Sequence, residues 1–256
     1  DQSFWCCTGT GVEEYSKLGD SIYWQDLDGL YVNLFIPSEL KWAEKGLHVR
    51  QATNFPAEAG TTLTFTAETP VAMAVRIRVP GWADSGGSLK INGKTLEVLA
   101  SPGSYVAIRR TWRSGDQIEL SLPMRLHAEP MPDDERIQAF LYGPVVLAAD
   151  LGSEGITSAM TEGENVPQME HLPAISVPVA EFAAARTIAA HGDEPERRIP
   201  AQAIPTLRAA GTDPNTWIQP DGGPLAFRTT GQEKDLALKP LHSLFEKRYT
   251  VYFQVS

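Results

Sequence analysis

The stretch VAMAVRIRVP, residues 71–80, constrains the fold more than any other part of this chain. Val71, Met73, Val75, Ile77 and Val79 fall on one side of a period of two, and Arg76 and Arg78 fall on the other. Only an extended strand with one face against a core keeps that alternation. The same period recurs in GLYVNLFIP, where Leu30, Val32, Leu34 and Ile36 share a face, and in TTLTFTAET with Leu63 and Phe65. HVRQAT, SYVAIRRTW, QIELSLPM and AFLYGPVVLAAD extend the series, the last broken by Gly143-Pro144. Asn92-Gly93 between SLKI and KTLEV is a hairpin signal, and Gly115-Asp116 marks another turn. LAFRTTG and RYTVYFQVS read as two closing strands. No βαβ rhythm is present. The pattern therefore predicts a mainly β chain of antiparallel sandwiches or barrels. Residues 151–225 are rich in Pro, Gly, Ala and Glu and predict loops, a few strands and one short helix at VAEFAAARTIAA.

At 256 residues the chain is long enough for one large or two smaller domains. Its formal charge of -10 excludes nucleic acid and anionic membranes as partners, because both require a positive surface. No apolar run approaches the roughly 20 residues that span a bilayer. No basic segment followed by an apolar one opens the chain, so no signal peptide is expected within it.

The opening, DQSFWCCTGTGVEEYSKLGD, is of a different kind. Thr10 with Glu13 matches a capping box, and Val12, Tyr15, Leu18, Gly19 and Ile22 recur at helical spacing. These predict a helix from about Gly11 to Tyr23. Cys6 and Cys7, the only two cysteines, would then stand just before its N-terminus, where partial positive charge favours thiolate. Adjacent cysteines allow three readings: a strained bridge between neighbours, two buried thiols, or two ligands for a soft metal such as zinc. A lone helix ahead of about 230 mostly β residues has an apolar face without a helical partner. It is expected to pack against a helical domain upstream.

These residues also carry a resemblance. FWCCTGTGVEEYSKLGDSIYW resembles the end of the catalytic domain of β-L-arabinofuranosidases of glycoside hydrolase family 127 and its relative, family 146, with wording nearer to 146. RIRVPGW, INGK, FLYGPVVLA and EKRYTVYFQ follow in the expected order. The resemblance covers residues 1 to about 150 and 225–256. It implies an (α/α)6 barrel followed by two β-sandwiches, with the last segment returning to complete the first. Residues 1–23 would be the final loop and helix of the barrel. Residues 24–127 with 236–256 would form the first sandwich and 128–235 the second.

The resemblance further implies a retaining hydrolase of β-L-arabinofuranosyl groups, with Zn2+ as cofactor. Cys6 corresponds to the thiolate nucleophile, itself held at the metal, and Cys7 to a purely coordinating ligand. The remaining ligands, a glutamate and a third cysteine, and the acid/base glutamate lie upstream in the family. The partners implied are plant glycans bearing L-arabinofuranosyl groups and the upstream barrel, with a homodimer also open. A periplasmic or secreted location is expected ahead of a cytoplasmic one. The alternative is a non-catalytic sandwich that binds carbohydrate or packs on a neighbouring domain.

Trp5 adjoins the nucleophile and is a candidate to line the sugar pocket. Trp24, Trp42, Trp82 and Trp112 are expected in cores or domain interfaces. Glu13 is expected to cap rather than to bind metal, and the five histidines lack metal-ligand spacing. Arg76 and Arg78 are expected to be solvated or salt-bridged, and PDDE at 132–135 to form a charged turn.

Overall fold

The computed structural model describes residues 5–17, 19–83, 86–96, 100–157, 176–183, 186–188, 197–199 and 202–256. It divides into a first unit through Arg125 and a second from Leu126 to Ser256.

The first unit opens with helix α1, Trp5–Lys17. The helix begins and ends about six residues before the expected span. Its periodicity continues on paper to Ile22, but Ser21 takes a left-handed φ of 65°, which no right-handed helix accommodates. Asp20 N–H closes a turn on the Lys17 carbonyl at 2.8 Å, and Tyr23 already begins a strand, β1 (Tyr23–Gln25). Thr10 and Glu13 therefore lie inside the helix, and the capping-box reading is corrected.

Two sheets follow. The first contains β1 (Tyr23–Gln25), β2 (Gly29–Val32), β6 (Val71–Val79) and β9 (Ser104–Trp112), in the order β1-β2-β6-β9. The second contains β3 (Ser38–Trp42), β4 (Leu47–Thr53), β5 (Gly60–Ala67), β10 (Gln117–Ser121), β7 (Ser88–Ile91) and β8 (Lys94–Leu96), in that spatial order. The inward residues of both sheets form one core. Val75, Ile77 and Val79 of β6 are fully buried, together with Val49, Leu63, Phe65, Ile118 and Trp112. Phe65 stacks on Trp112 at 4.3 Å, and the Trp112 indole N–H donates to the Met73 carbonyl at 3.2 Å. The alternation of residues 71–79 thus reads out as core on one side and arginine on the other.

One pairing departs from the antiparallel expectation: β2 runs parallel to β6, with Gly29 opposite Ala74. The strands approach so closely that a Cβ on Gly29 would stand 1.9 Å from the Ala74 carbonyl oxygen. At the β7–β8 turn Asn92 and Gly93 both have positive φ, 53° and 77°, as a type I′ hairpin demands.

The second unit is also β. Strands β11 (Leu126–Pro130), β12 (Ile137–Tyr142), β13 (Val145–Asp150), β17 (Gln202–Leu207), β18 (Ile218–Pro220), β19 (Phe227–Thr229), β20 (Ala237–Pro240), β21 (Tyr249–Thr250) and β22 (Phe253–Val255) join one sheet. Phe140, Leu147, Leu238 and Phe253 are fully buried at its centre, with Trp217 edge-on to Phe140. The residues expected to form a helix, 179–190, instead contain β14 (Val179–Ala183) and β15 (Arg186–Ile188), so that expectation is corrected. β14 pairs antiparallel with β17, and β15 with β16 (Arg197–Ile199).

The closing strands also differ from what the resemblance implied. β22 pairs with β12, β20 and β21 with β13, all within the second unit. Phe253 supplies the reason, for its ring packs 5.5 Å from Phe140 in the second core. Residues 236–256 therefore complete the second β unit rather than the first.

Candidate functional site

Helix α1 carries the sequence-predicted site. The backbone places Trp5, Cys6 and Cys7 in its first turn, so the cysteines begin the helix instead of preceding it. Their side chains lie outside the described residues. Further along, Val12 is 68% and Tyr15 79% exposed, so the apolar face of the helix is open. Gly9 and Gly11 sit in the helix interior, where each costs about 1 kcal/mol relative to alanine. A Cβ at either would meet nothing within 4 Å. Neither glycine is needed sterically by the described residues. Glu13 is exposed, its carbonyl accepting from the Ser16 hydroxyl at 2.6 Å, and Glu14 lies 3.9 Å from Lys17.

Among the described residues no group of three or more His, Cys, Asp or Glu is placed to hold a metal. The PDDE turn is accounted for by charge pairing: Asp134 accepts from Arg136 Nε at 2.9 Å and Nη2 at 2.8 Å. The hydrogen bonds and charge of Arg136 hold the Asp134 carboxyl below the usual range.

A charged cluster lies on the outer face of the four-stranded sheet. Asp26, in the β1–β2 turn, accepts from the backbone N–H groups of Asp28 and Gly29 at 2.8 Å each. Its other oxygen accepts from the Tyr31 hydroxyl at 3.0 Å. Arg76 bridges Asp26 and Asp28 at 3.4 and 3.3 Å while its guanidinium lies over the Tyr31 ring. Arg109 pairs with Asp28 at 2.7 Å. The Arg109 hydrogen bond and charge lower the Asp28 pKa. For Asp26, desolvation pushes upward, but Tyr31, the two backbone N–H groups and Arg76 outweigh it and the pKa falls. Two carboxylates held ionised by two guanidinium groups have no proton to donate and no free basicity. The cluster fastens a turn to a sheet. Arg76 is thus salt-bridged as its strand position predicted, whereas its acidic partners could not be chosen from sequence.

A second network was missed. Asp116 is buried and accepts from Asn92 Nδ2 at 2.7 Å, Arg113 N–H at 2.8 Å and Arg110 at 3.3 Å. It ties the INGK hairpin to the turn before β10. The two turn signals were visible separately, but their contact was not. Of the tryptophans, Trp112 is core, while Trp42 and Trp82 pack against that core. Trp24 is 56% exposed and lies outside the core.

The comparisons with known proteins bear on this arrangement. Residues 29–124 match the family model for the middle domain of GH127 β-L-arabinofuranosidases. Residues 127–255, half of the chain, match DUF4986, a domain of unknown function, a range that includes the segment where the sequence resemblance lapsed. A solved glycoside hydrolase superposes with a TM-score of 0.62 at 18% identity, covering 99% of this chain and 40% of its own. A GH127 β-L-arabinofuranosidase from Geobacillus stearothermophilus T6 gives 0.58 at 19% identity, covering 98% and 37%. A GH127 β-arabinofuranosidase gives 0.53 at 19%, covering 92% and 36%. No curated protein matches the chain. The β units thus share the fold of the corresponding part of these solved proteins. Residues 127–255 belong to the DUF4986 family, and the residues ahead of them, 29–124, match the GH127 middle domain. The chain spans 36–40% of the length of these solved relatives.

Proposed function

We propose that this chain serves a retaining, zinc-dependent β-L-arabinofuranosidase, with Cys6 as thiolate nucleophile and Cys7 as a zinc ligand. The observation that carries the reading is the position of the cysteine-bearing helix α1 directly ahead of the GH127 middle domain. The donor set fits zinc as far as it goes. Two thiols in one helical turn are soft ligands, and the first turn of a helix favours their ionised form. Bound zinc would keep the thiolates deprotonated near neutral pH. Cys6 then attacks the anomeric carbon, and the aglycone leaves with a proton from an acid outside this chain. Water releases arabinose from the sulfur with retention.

The open face of α1 and its sterically unneeded glycines support a neighbouring helical domain packed closely on it. Arabinofuranosyl plant glycans are the substrate class of this reading, and a periplasmic or secreted location suits such substrates. A homodimer remains part of the proposal.

Two outcomes test it. The isolated, metal-loaded chain should hydrolyse no aryl β-L-arabinofuranoside, and turnover by it would contradict the division of labour proposed. In the enzyme assembled with the preceding domain, Cys6→Ser should abolish turnover while zinc content, read by mass spectrometry, largely persists. Cys7→Ser should lose the metal. A Cys6→Ser enzyme that keeps its rate removes the nucleophile assignment.

A further inference from the structure

The outer face of the six-stranded sheet forms a groove of about 460 Å³. Its lining includes Asn54, Thr62, Ser88, Lys90, Glu119 and Ser121. Register makes these one surface. Thr62, Glu119 and Lys90 stand opposite one another across β5, β10 and β7. Ser121 lies opposite Gly60 on one side and Ser88 on the other. The two rows are two residues apart, so their side chains share a face about 7 Å apart along the strands. Gly60 has no side chain, which deepens the floor at the second row.

The groove is built on a fixed wall. In the β4–β5 turn Asn54 Nδ2 donates to Glu58 Oε1 at 2.9 Å, and Glu58 N–H to the Asn54 carbonyl at 3.2 Å. The Thr53 hydroxyl donates to the Gly60 carbonyl at 2.6 Å. The floor, by contrast, holds unspent hydrogen-bonding capacity. Lys90 and Glu119 are cross-strand neighbours, yet they form no ion pair with each other or with any other described residue. The hydroxyls of Thr62, Ser88 and Ser121 likewise make no hydrogen bond among the described residues.

The lining chemistry selects the occupant. It offers an ammonium, carboxylates, an amide and several hydroxyls within reach of one another, and no aromatic side chain. An apolar partner gains nothing there. A polyanion meets two carboxylates, Glu58 and Glu119, against one lysine, on a chain of charge -10. A neutral ligand dense in hydroxyl groups can both donate to Glu119 and accept from Lys90. We propose that this groove binds a neutral oligosaccharide segment, separate from the thiolate chemistry at Cys6. The openness of the groove and the lack of a stacking ring keep the affinity weak, in the millimolar range.

Isotope-labelled chain titrated with neutral arabino-oligosaccharide should show saturable amide shifts confined to β5, β7, β10 and the β4–β5 turn. Lys90→Ala with Glu119→Ala should weaken this by about tenfold or more, with the spectrum elsewhere unchanged. Still amides at tens of millimolar sugar, or equal binding by the double variant, overturn the proposal. So does tighter binding of an oligogalacturonide. A groove that answers no sugar and is shielded from exchange in the longer enzyme is a domain contact, and the proposal falls. None of these readouts depends on Cys6, so failure here leaves the proposed activity standing, and the converse holds.

Discussion

Asp116 shows how one side chain fastens two turns. Its carboxylate collects an amide, a backbone N–H and a guanidinium, and the backbone around it is engaged as well: the Phe65 N–H donates to its carbonyl at 2.9 Å. Burial pushes its pKa upward, but the Asn92 and Arg113 hydrogen bonds and the charges of Arg110 and Arg113 outweigh it, and the net shift is downward. A depressed folded-state pKa gives stability that is full above the unfolded value near 3.9 and lost as pH falls through the folded one. Asp116→Ala strands the Asn92 amide and the Arg113 N–H, and should cost about 1–3 kcal/mol at pH 7. The difference between wild type and Asp116→Asn, read from urea midpoints, should shrink as pH drops below 4. A constant difference across that range would deny Asp116 its charge-dependent role. Both turns, Asn92-Gly93 and Gly115-Asp116, are legible from their residues, because each needs particular backbone angles. Their contact is a matter of sheet order, which local pattern does not carry.

At the scale of elements, strands were easier to read than their partners. The β6 alternation predicts the buried positions Met73, Val75, Ile77 and Val79, although Ala74 on the arginine side is buried as well. It is silent about direction, because Leu30 and Val32 fill the same core whether β2 runs parallel or antiparallel. The parallel pairing includes a close approach that no periodicity records and that only glycine permits, Gly29 against the Ala74 backbone. Gly29→Ala should therefore force β2 off β6, costing about 1–3 kcal/mol as overpacking does. Gly81→Ala is the control, since a Cβ there meets nothing within 4 Å and its φ is ordinary. Thermal melts of the two variants separate the steric argument from a general cost of losing glycine. Equal behaviour would refute it. Helices were harder. Residues 179–190 have the Ala-rich composition of a helix, but pairing of β14 with β17 overrides that weak propensity. At α1 the periodicity was real and its limits were not, because one left-handed residue, Ser21, ends a pattern that the side chains continue.

For the molecule as a whole, the decisive question is which core owns the C-terminal strands. The resemblance assigned residues 236–256 to the first sandwich, and hydrophobic pattern could not object, since TVYFQV suits either core. The observed pairing gives β22 to β12 and β20 to β13, and buries Phe253 and Leu238 in the second core. The candidate site divides in the same way: adjacent cysteines are visible in any reading, while the further ligands that the proposed zinc site requires are not specified by local sequence. A truncation tests the ownership directly. Removing residues 249–256 deletes β21 and β22, including the fully buried Phe253 and the edge that β17 uses. Loss of a buried phenylalanine alone costs about 3–5 kcal/mol, a large share of the 5–15 kcal/mol typical of a domain. The second unit should lose cooperative unfolding. The first unit retains the ten strands of its described residues and its Trp112–Phe65 stack, so the near-ultraviolet signal of that pair and its melting should persist. If the truncation instead melts the Trp112 signal and spares the Trp217–Phe140 contact, the closing strands belong to the first unit and the topology described for both is wrong.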